Sequence, residues 1–143
     1  LMISTQKTLK RALFWESYLK KYPQSPLKKD AEYLLNAYSY FFFIGLADSP
    51  VSINFEGVID IQPSTLSEIE QLATHKNSLL AEQARRFLKF IDLSTDQRHK
   101  LVSSNTENTT PQVQLIQYLK LKPIDLNQVQ SRNCFSDAIC RSN

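Results

Sequence analysis

Glycine is almost missing from this chain: Gly45 and Gly57 are the only two among 143 residues. That excludes a Gly-rich phosphate-binding loop and argues against a turn-dense β fold. Histidine is equally scarce, and His75 and His99, taken with Cys134 and Cys140, match no zinc-ligand spacing. No metal or other cofactor is therefore expected. Serines are plentiful, yet none sits in a Gly-x-Ser-x-Gly elbow. Asp48, Glu56 and Asp60 fall close together in sequence, but nothing in their spacing singles out general acid–base work, and no catalytic residue is expected. The longest apolar run, Tyr38 to Ala47, is about ten residues and cannot span a bilayer. A net charge of +3 is too small to argue for nucleic acid. No signal peptide is legible and Leu1-Met2 does not read as a native start, both of which a mature or excised chain would explain.

What remains is an ordinary globular composition, 42% hydrophobic and 22% charged, at a length suited to one domain. Its most informative stretch runs from Ala12 to Phe42. Ala12, Trp15, Leu19 and Tyr22 recur at helical period, and Pro23 disfavours helix at Tyr22, which predicts a first helix over Ser4–Tyr22. Ser25 suits an N-cap with Pro26 at the first helical position, which predicts a second helix from Pro26 to about Leu46. Leu27, Ala31, Leu34, Leu35, Tyr38, Phe41 and Phe42 form one stripe on it, and Tyr33, Ala37, Tyr40 and Ile44 form another. Two such helices joined by a short turn make an antiparallel αα-hairpin.

The Tyr22-Pro23-Gln24-Ser25-Pro26 turn, with Trp15 before it and Ala31, Leu34 and Leu35 after it, resembles tetratricopeptide-like repeats. It looks most like those of bacterial outer-membrane assembly lipoproteins and Tol–Pal coordinator proteins, over about Leu9 to Gly45. The resemblance implies an all-α stack of αα-hairpins that binds another protein or peptide, has no enzymatic activity and works in the periplasm, the cell envelope or outside the cell.

A second hairpin echoes the first. Leu80, Ala84, Phe87, Leu88 and Ile91 each follow Leu27, Ala31, Leu34, Leu35 and Tyr38 by 53 positions, and Ser78 follows Ser25 likewise. The insertion between the hairpins accounts for the excess over a period of about 34. Within it, Val51, Ile53, Phe55, Ile59 and Ile61 all fall on odd positions, which predicts extended chain with one buried face, turning near Glu56-Gly57 and ended by Pro63. Thr65 and Glu68 suit a capping box for a third helix, and Ser78 caps a fourth. Ser94 or Thr95 opens a short fifth helix through Val102, and Pro111–Lys122 forms a sixth, stopped by Pro123. Asp125 caps a last turn over Leu126–Gln130. The expected layout is 1–104 as two hairpin repeats with an extended insert at 47–64, 105–110 as a polar loop, and 111–143 as a helix and a Cys-containing tail packed on the same domain. The Asn108-Thr109-Thr110 sequon matters only in a eukaryotic secretory chain.

Two further features bear on function. Cys134 and Cys140 are an even pair near the terminus, which points to a disulfide in an oxidising compartment, with reduced thiols in a cytosolic protein as the alternative. The envelope resemblance favours the disulfide. Lys20, Lys21, Lys28, Lys29, Arg85, Arg86 and Lys89 read as solvated faces diluted by Asp30, Glu32 and Glu82 rather than as a nucleic-acid patch. Phe43 falls in the polar wedge of the second helix with Glu32, Asn36 and Ser39, so it either packs under the insert or, with Tyr40 beside it, anchors a partner. The expected role is a protein-interaction or scaffold module; the alternatives are a small inhibitor or immunity-type protein that caps one target enzyme, and an accessory domain of a larger envelope enzyme.

Overall fold

Periodic apolar stripes build most of the chain into helices. The computed structural model describes residues 4–46, 49–101 and 110–124, and among them are six α-helices and one two-stranded sheet. Helices α1 (Thr5–Lys21) and α2 (Lys28–Phe43) lie along each other as an antiparallel pair. Ser4 caps α1, its hydroxyl accepting from the Lys7 N–H at 3.2 Å. α2 starts two residues later than Pro26, because Ser25 serves the turn instead: its Oγ accepts from the Leu27 N–H at 3.1 Å and bonds the Tyr18 hydroxyl at 2.7 Å. Strand β1 (Gly45–Leu46) pairs antiparallel with β2 (Ser49–Pro50). Gly45, at φ 90°, is required here, since a Cβ would come within 2.7 Å of the Ser49 carbonyl oxygen and the Val51 nitrogen.

Helices α3 (Pro63–Leu72) and α4 (Leu79–Ile91) form the second pair. Pro63 opens α3 rather than ending the insert, and Thr65 is buried in its first turn, donating to Gln62 Oε1 at 3.3 Å; the expected capping box does not form. Ser78 caps α4 as its spacing predicts, accepting from the Ala81 N–H at 3.1 Å. The α4 N-terminus also receives a buried carboxylate from α1: Glu16 accepts from the Leu80 N–H at 3.1 Å and from the Ser78 hydroxyl at 2.9 Å. Negative charge is stabilised at that end of a helix, so Glu16 ties the two pairs together. Positions repeated between α2 and α4 are buried alike: Ala31 and Ala84, Leu34 and Phe87, Tyr38 and Ile91.

Ser94 and Gln97 form a reciprocal capping box at α5 (Thr95–Leu101), with N–H to side-chain oxygen distances of 2.9 and 3.3 Å. Helix α6 (Pro111–Tyr118) is capped by Thr110 and ends well before Lys122. Lys120 adopts φ 59°, and the Leu121 N–H returns to the Ile116 carbonyl at 3.0 Å, a left-handed stop that acts three residues before Pro123. The chain beyond is held by Asn36, whose carboxamide donates to the Lys122 carbonyl at 3.1 Å and accepts its N–H at 2.9 Å. The core runs through Phe42, Phe43, Phe87, Phe90, Leu80 and Leu115. The last predicted turn at Leu126–Gln130 lies outside the described residues.

Candidate protein-docking surface

The insert between the two helix pairs is where structure and periodicity part. Among the described residues 51–62 no strand forms; the one regular element is a 3-10 turn at Val58–Asp60. Asp60 organises the loop. Its Oδ2 accepts from the Ser52 hydroxyl at 2.8 Å and from the Asn54 and Glu56 N–H groups, each at 3.2 Å. The Ser52 bond, followed by those backbone donors, holds the carboxyl below its usual pKa. Ser52 Oγ in turn accepts from the Phe55 N–H at 2.9 Å. With Phe55 at φ 54° and Gly57 at φ 74°, the chain folds back on itself instead of extending.

Two attachments fix this loop to the helices. Phe55 is fully buried, edge-on to Phe87 at 6.0 Å, and Phe87 packs on Phe43 at 5.8 Å. The Gly57 N–H donates to the Ile91 carbonyl at 2.8 Å. Arg98 of α5 closes the assembly. Its guanidinium, on a residue only 3% exposed, donates to the carbonyls of Asn54 (3.0 Å), Phe90 (3.3 Å) and Phe55, and lies 4.2 Å from the Phe90 ring centroid. Burial pulls its pKa below the usual arginine value, opposed by the charges of Glu56 and Asp60.

The consequence is an inversion of the apolar pattern. Val51, Phe55 and Ile61 face the core, while Ile53 is 77% exposed, Val58 55% and Ile59 97%. Val58 and Ile59 share the 3-10 turn, and Asp60, next along the chain, accepts from the Asn54 N–H that follows Ile53. Exposed Phe14 on α1 and Tyr22 just after it differ: they sit about two turns apart, each against an aromatic residue of α1.

A groove of about 670 Å³ opens between the start of α1, the end of α2, the β1–β2 hairpin and the start of α3. Its wall is dominated by Ser, Thr and Gln side chains over Phe41 and Phe42, and among the described residues its single carboxylate, Glu68, is bonded by Gln6 Nε2 at 3.2 Å. Such a lining offers hydrogen bonds to a neutral chain and holds no acid–base pair. Among the described residues no group of three His, Cys, Asp or Glu side chains can hold a metal ion, and no helix is long and apolar enough to cross a membrane.

Phe43 does not meet water, and neither does Ser39 one turn before it. It is fully buried, 4.9 Å from Phe42 and covered by Phe87 beneath the insert, so no exposed anchor exists there. The helix stripe misplaced it because α2 is enclosed on that side too, where Phe87 of α4 packs on it and Ser39 is buried as well. Tyr40 is half-buried, with Phe41 edge-on at 6.2 Å. His75 and His99 are both exposed and lie apart, His99 next to Gln114 at 3.2 Å. Asp60 is consumed by its own loop, and Asp48, Cys134 and Cys140 lie outside the described residues. Several basic residues act as staples: Arg85 donates to the Ala73 and His75 carbonyls at 2.9 and 3.0 Å, Arg86 to Tyr118, and Lys20 to Asn77. Sequence reasoning missed Arg98, Glu16 and the outward turn of Ile53 and Ile59. The one available signal was Ser94-x-x-Gln97, which fixes the start of α5 and hence places Arg98 on its first turn.

Comparison with protein-family models, with curated proteins and with solved structures finds no match.

Proposed function

We propose that the chain is a protein-interaction module whose contact surface is the insert. The observation that carries this is that Ile59, 97% exposed, and Ile53, 77% exposed, both stand on one loop pinned from within by Asp60 and from the helices by Arg98. Aliphatic side chains that face water on a loop fixed in place cost solvation but need little further ordering on binding. Burying each of them contributes about 1.5–3 kcal/mol. The scaffold role, the tetratricopeptide-like stacking of two hairpins and an envelope or secreted setting belong to the same reading. They are supported by the matched burial of α2 and α4 and by the turn motif at Tyr22–Pro26. A protruding, preorganised loop also suits an inhibitor that plugs the cleft of one enzyme; a single stoichiometric partner would mark that variant of the reading.

The test compares the parent with Ile53→Ser/Ile59→Ser and with Phe14→Ser as a control of equal surface character. Both variants should melt within about 0.5 kcal/mol of the parent, as surface changes do. A partner captured from envelope extract and then purified should bind parent and Phe14→Ser alike and lose at least about tenfold in affinity for the insert variant. Equal binding to all three contradicts the proposal.

A further inference from the structure

Helix α1 turns one side to water, and the helix itself sets which residues share that side. Lys7, Lys10, Phe14, Tyr18 and Lys21 follow one another at intervals of three or four, so they lie along one face. Lys7, Lys10, Phe14 and Lys21 are exposed, and Tyr18 is half-buried. The other sides of α1 are taken up by packing: Ala12 and Trp15 are buried, and Glu16 reaches the start of α4. Ring contacts join the outer face into one ridge. Phe14 meets Trp15 at 4.9 Å, Trp15 meets Tyr18 at 5.5 Å, and Tyr18 meets exposed Tyr22 at 5.2 Å. Cations stand along this ridge. Lys21 Nζ lies 5.5 Å from the Tyr22 ring centroid, and Arg11 donates to the Tyr38 hydroxyl of α2 at 3.3 Å. The one acid of α1, Glu16, is turned inward, and among the described residues no carboxylate pairs with Lys7, Lys10 or Lys21.

A cationic face calls for an anionic partner, and a second copy docking through the same face would set like charges against each other. The rings choose among anions. A single nucleic-acid strand is held in a positively charged groove by aromatic platforms on which bases stack. Here the ridge is the convex side of a helix, and its rings already lean on one another at 88°, 69° and 51°. That leaves a continuous apolar strip with ammonium groups along it. Such a strip suits a headgroup layer, with rings at headgroup depth and lysine stems beside them carrying charge to the lipid phosphates. No described helix is long and apolar enough to cross a membrane, so the contact is peripheral. We propose that the outer face of α1 docks the chain on an anionic lipid surface. Phe14 and Tyr22 enter the headgroup layer, and Lys7, Lys10 and Lys21 meet its phosphates. This face shares no residue with the insert and stands or falls independently of it.

The experiment is co-sedimentation of the chain with vesicles of pure phosphatidylcholine and of equal parts phosphatidylcholine and phosphatidylglycerol. The parent should partition at least about tenfold more strongly to the anionic vesicles, with most of the gap gone in about 1 M salt. Lys7→Gln/Lys10→Gln/Lys21→Gln should lose about a hundredfold. Lys76→Gln/Lys89→Gln/Lys100→Gln removes as much charge from exposed lysines off α1 and should lose less than about tenfold. Phe14→Ser should lose about tenfold while melting like the parent. Trp15, the one tryptophan of the chain, touches Phe14, so a quencher carried on the lipid should dim its emission on docking. Equal losses in the two lysine variants, full binding by Phe14→Ser, or unquenched Trp15 in bound protein would overturn α1 as the docking face. Equal partition to both vesicles, no partition to either, or binding to a single-stranded oligonucleotide or a polyglutamate peptide in place of anionic vesicles would overturn the lipid partner.

Discussion

The helix pairs and the insert are stabilised in opposite ways. In the pairs, apolar side chains turn inward at helical period, and polar groups trim the ends: Ser4, Ser78 and Thr110 cap, and Glu16 supplies charge to the start of α4. In the insert, polar and charged groups do the holding, through Asp60 below pairs of backbone N–H groups and Arg98 across carbonyls, while Ile53 and Ile59 are left in water. A loop held by these bonds and by buried Phe55 does not need Ile53 and Ile59 for stability.

Breaking each region should therefore look different. Phe43→Ala removes a ring packed between Phe42 and Phe87 and should cost about 3–5 kcal/mol of global stability, read as a lower melting temperature. Melting like the parent would mean that the ring is not core. Arg98→Met keeps bulk but strips the donors from the Asn54, Phe55 and Phe90 carbonyls. Leaving them unpaired should cost about 2–4 kcal/mol, with the insert becoming sensitive to proteolysis at Asn54–Gly57 before the helices unfold. Uniform loss of both regions would show that the insert is not a separate unit.

The smallest effect concerns pH. Asp60 is held below its usual pKa in the fold, so it contributes stability above its unfolded value of about 4 and loses it as pH falls through the folded value. Acid should loosen the insert, and Asp60→Asn, which cannot lose a charge, should flatten that response below pH 4. An unchanged acid profile in Asp60→Asn would remove Asp60 from the account.

The helical frame was legible in the chain because its signals are local. The stripe of Leu80, Ala84, Phe87 and Ile91, the Ser78 cap and the Pro111 start each report on one helix. The insert was not, because its determinants are distant: Arg98 reaches the carbonyl of Asn54 across 44 positions, and Gly57 bonds Ile91. Odd-position apolar residues from Val51 to Ile61 mimic a strand, yet the left-handed Phe55 and Gly57 rotate Ile59 away from the face that buries Ile61. Phe87 of α4, on which Phe55 of the loop packs, covers Phe43, which no helix-wheel reading of α2 alone reveals.

Amide hydrogen exchange tests the central claim most directly, because a rigid insert and a floppy one expose the same isoleucines. The Phe55 and Gly57 N–H groups, bonded to Ser52 Oγ and the Ile91 carbonyl, should exchange orders of magnitude more slowly than an open chain. In Arg98→Met their protection should collapse while that of α2 and α4 persists. Exchange of Phe55 and Gly57 at open-chain rates in the parent would contradict the account.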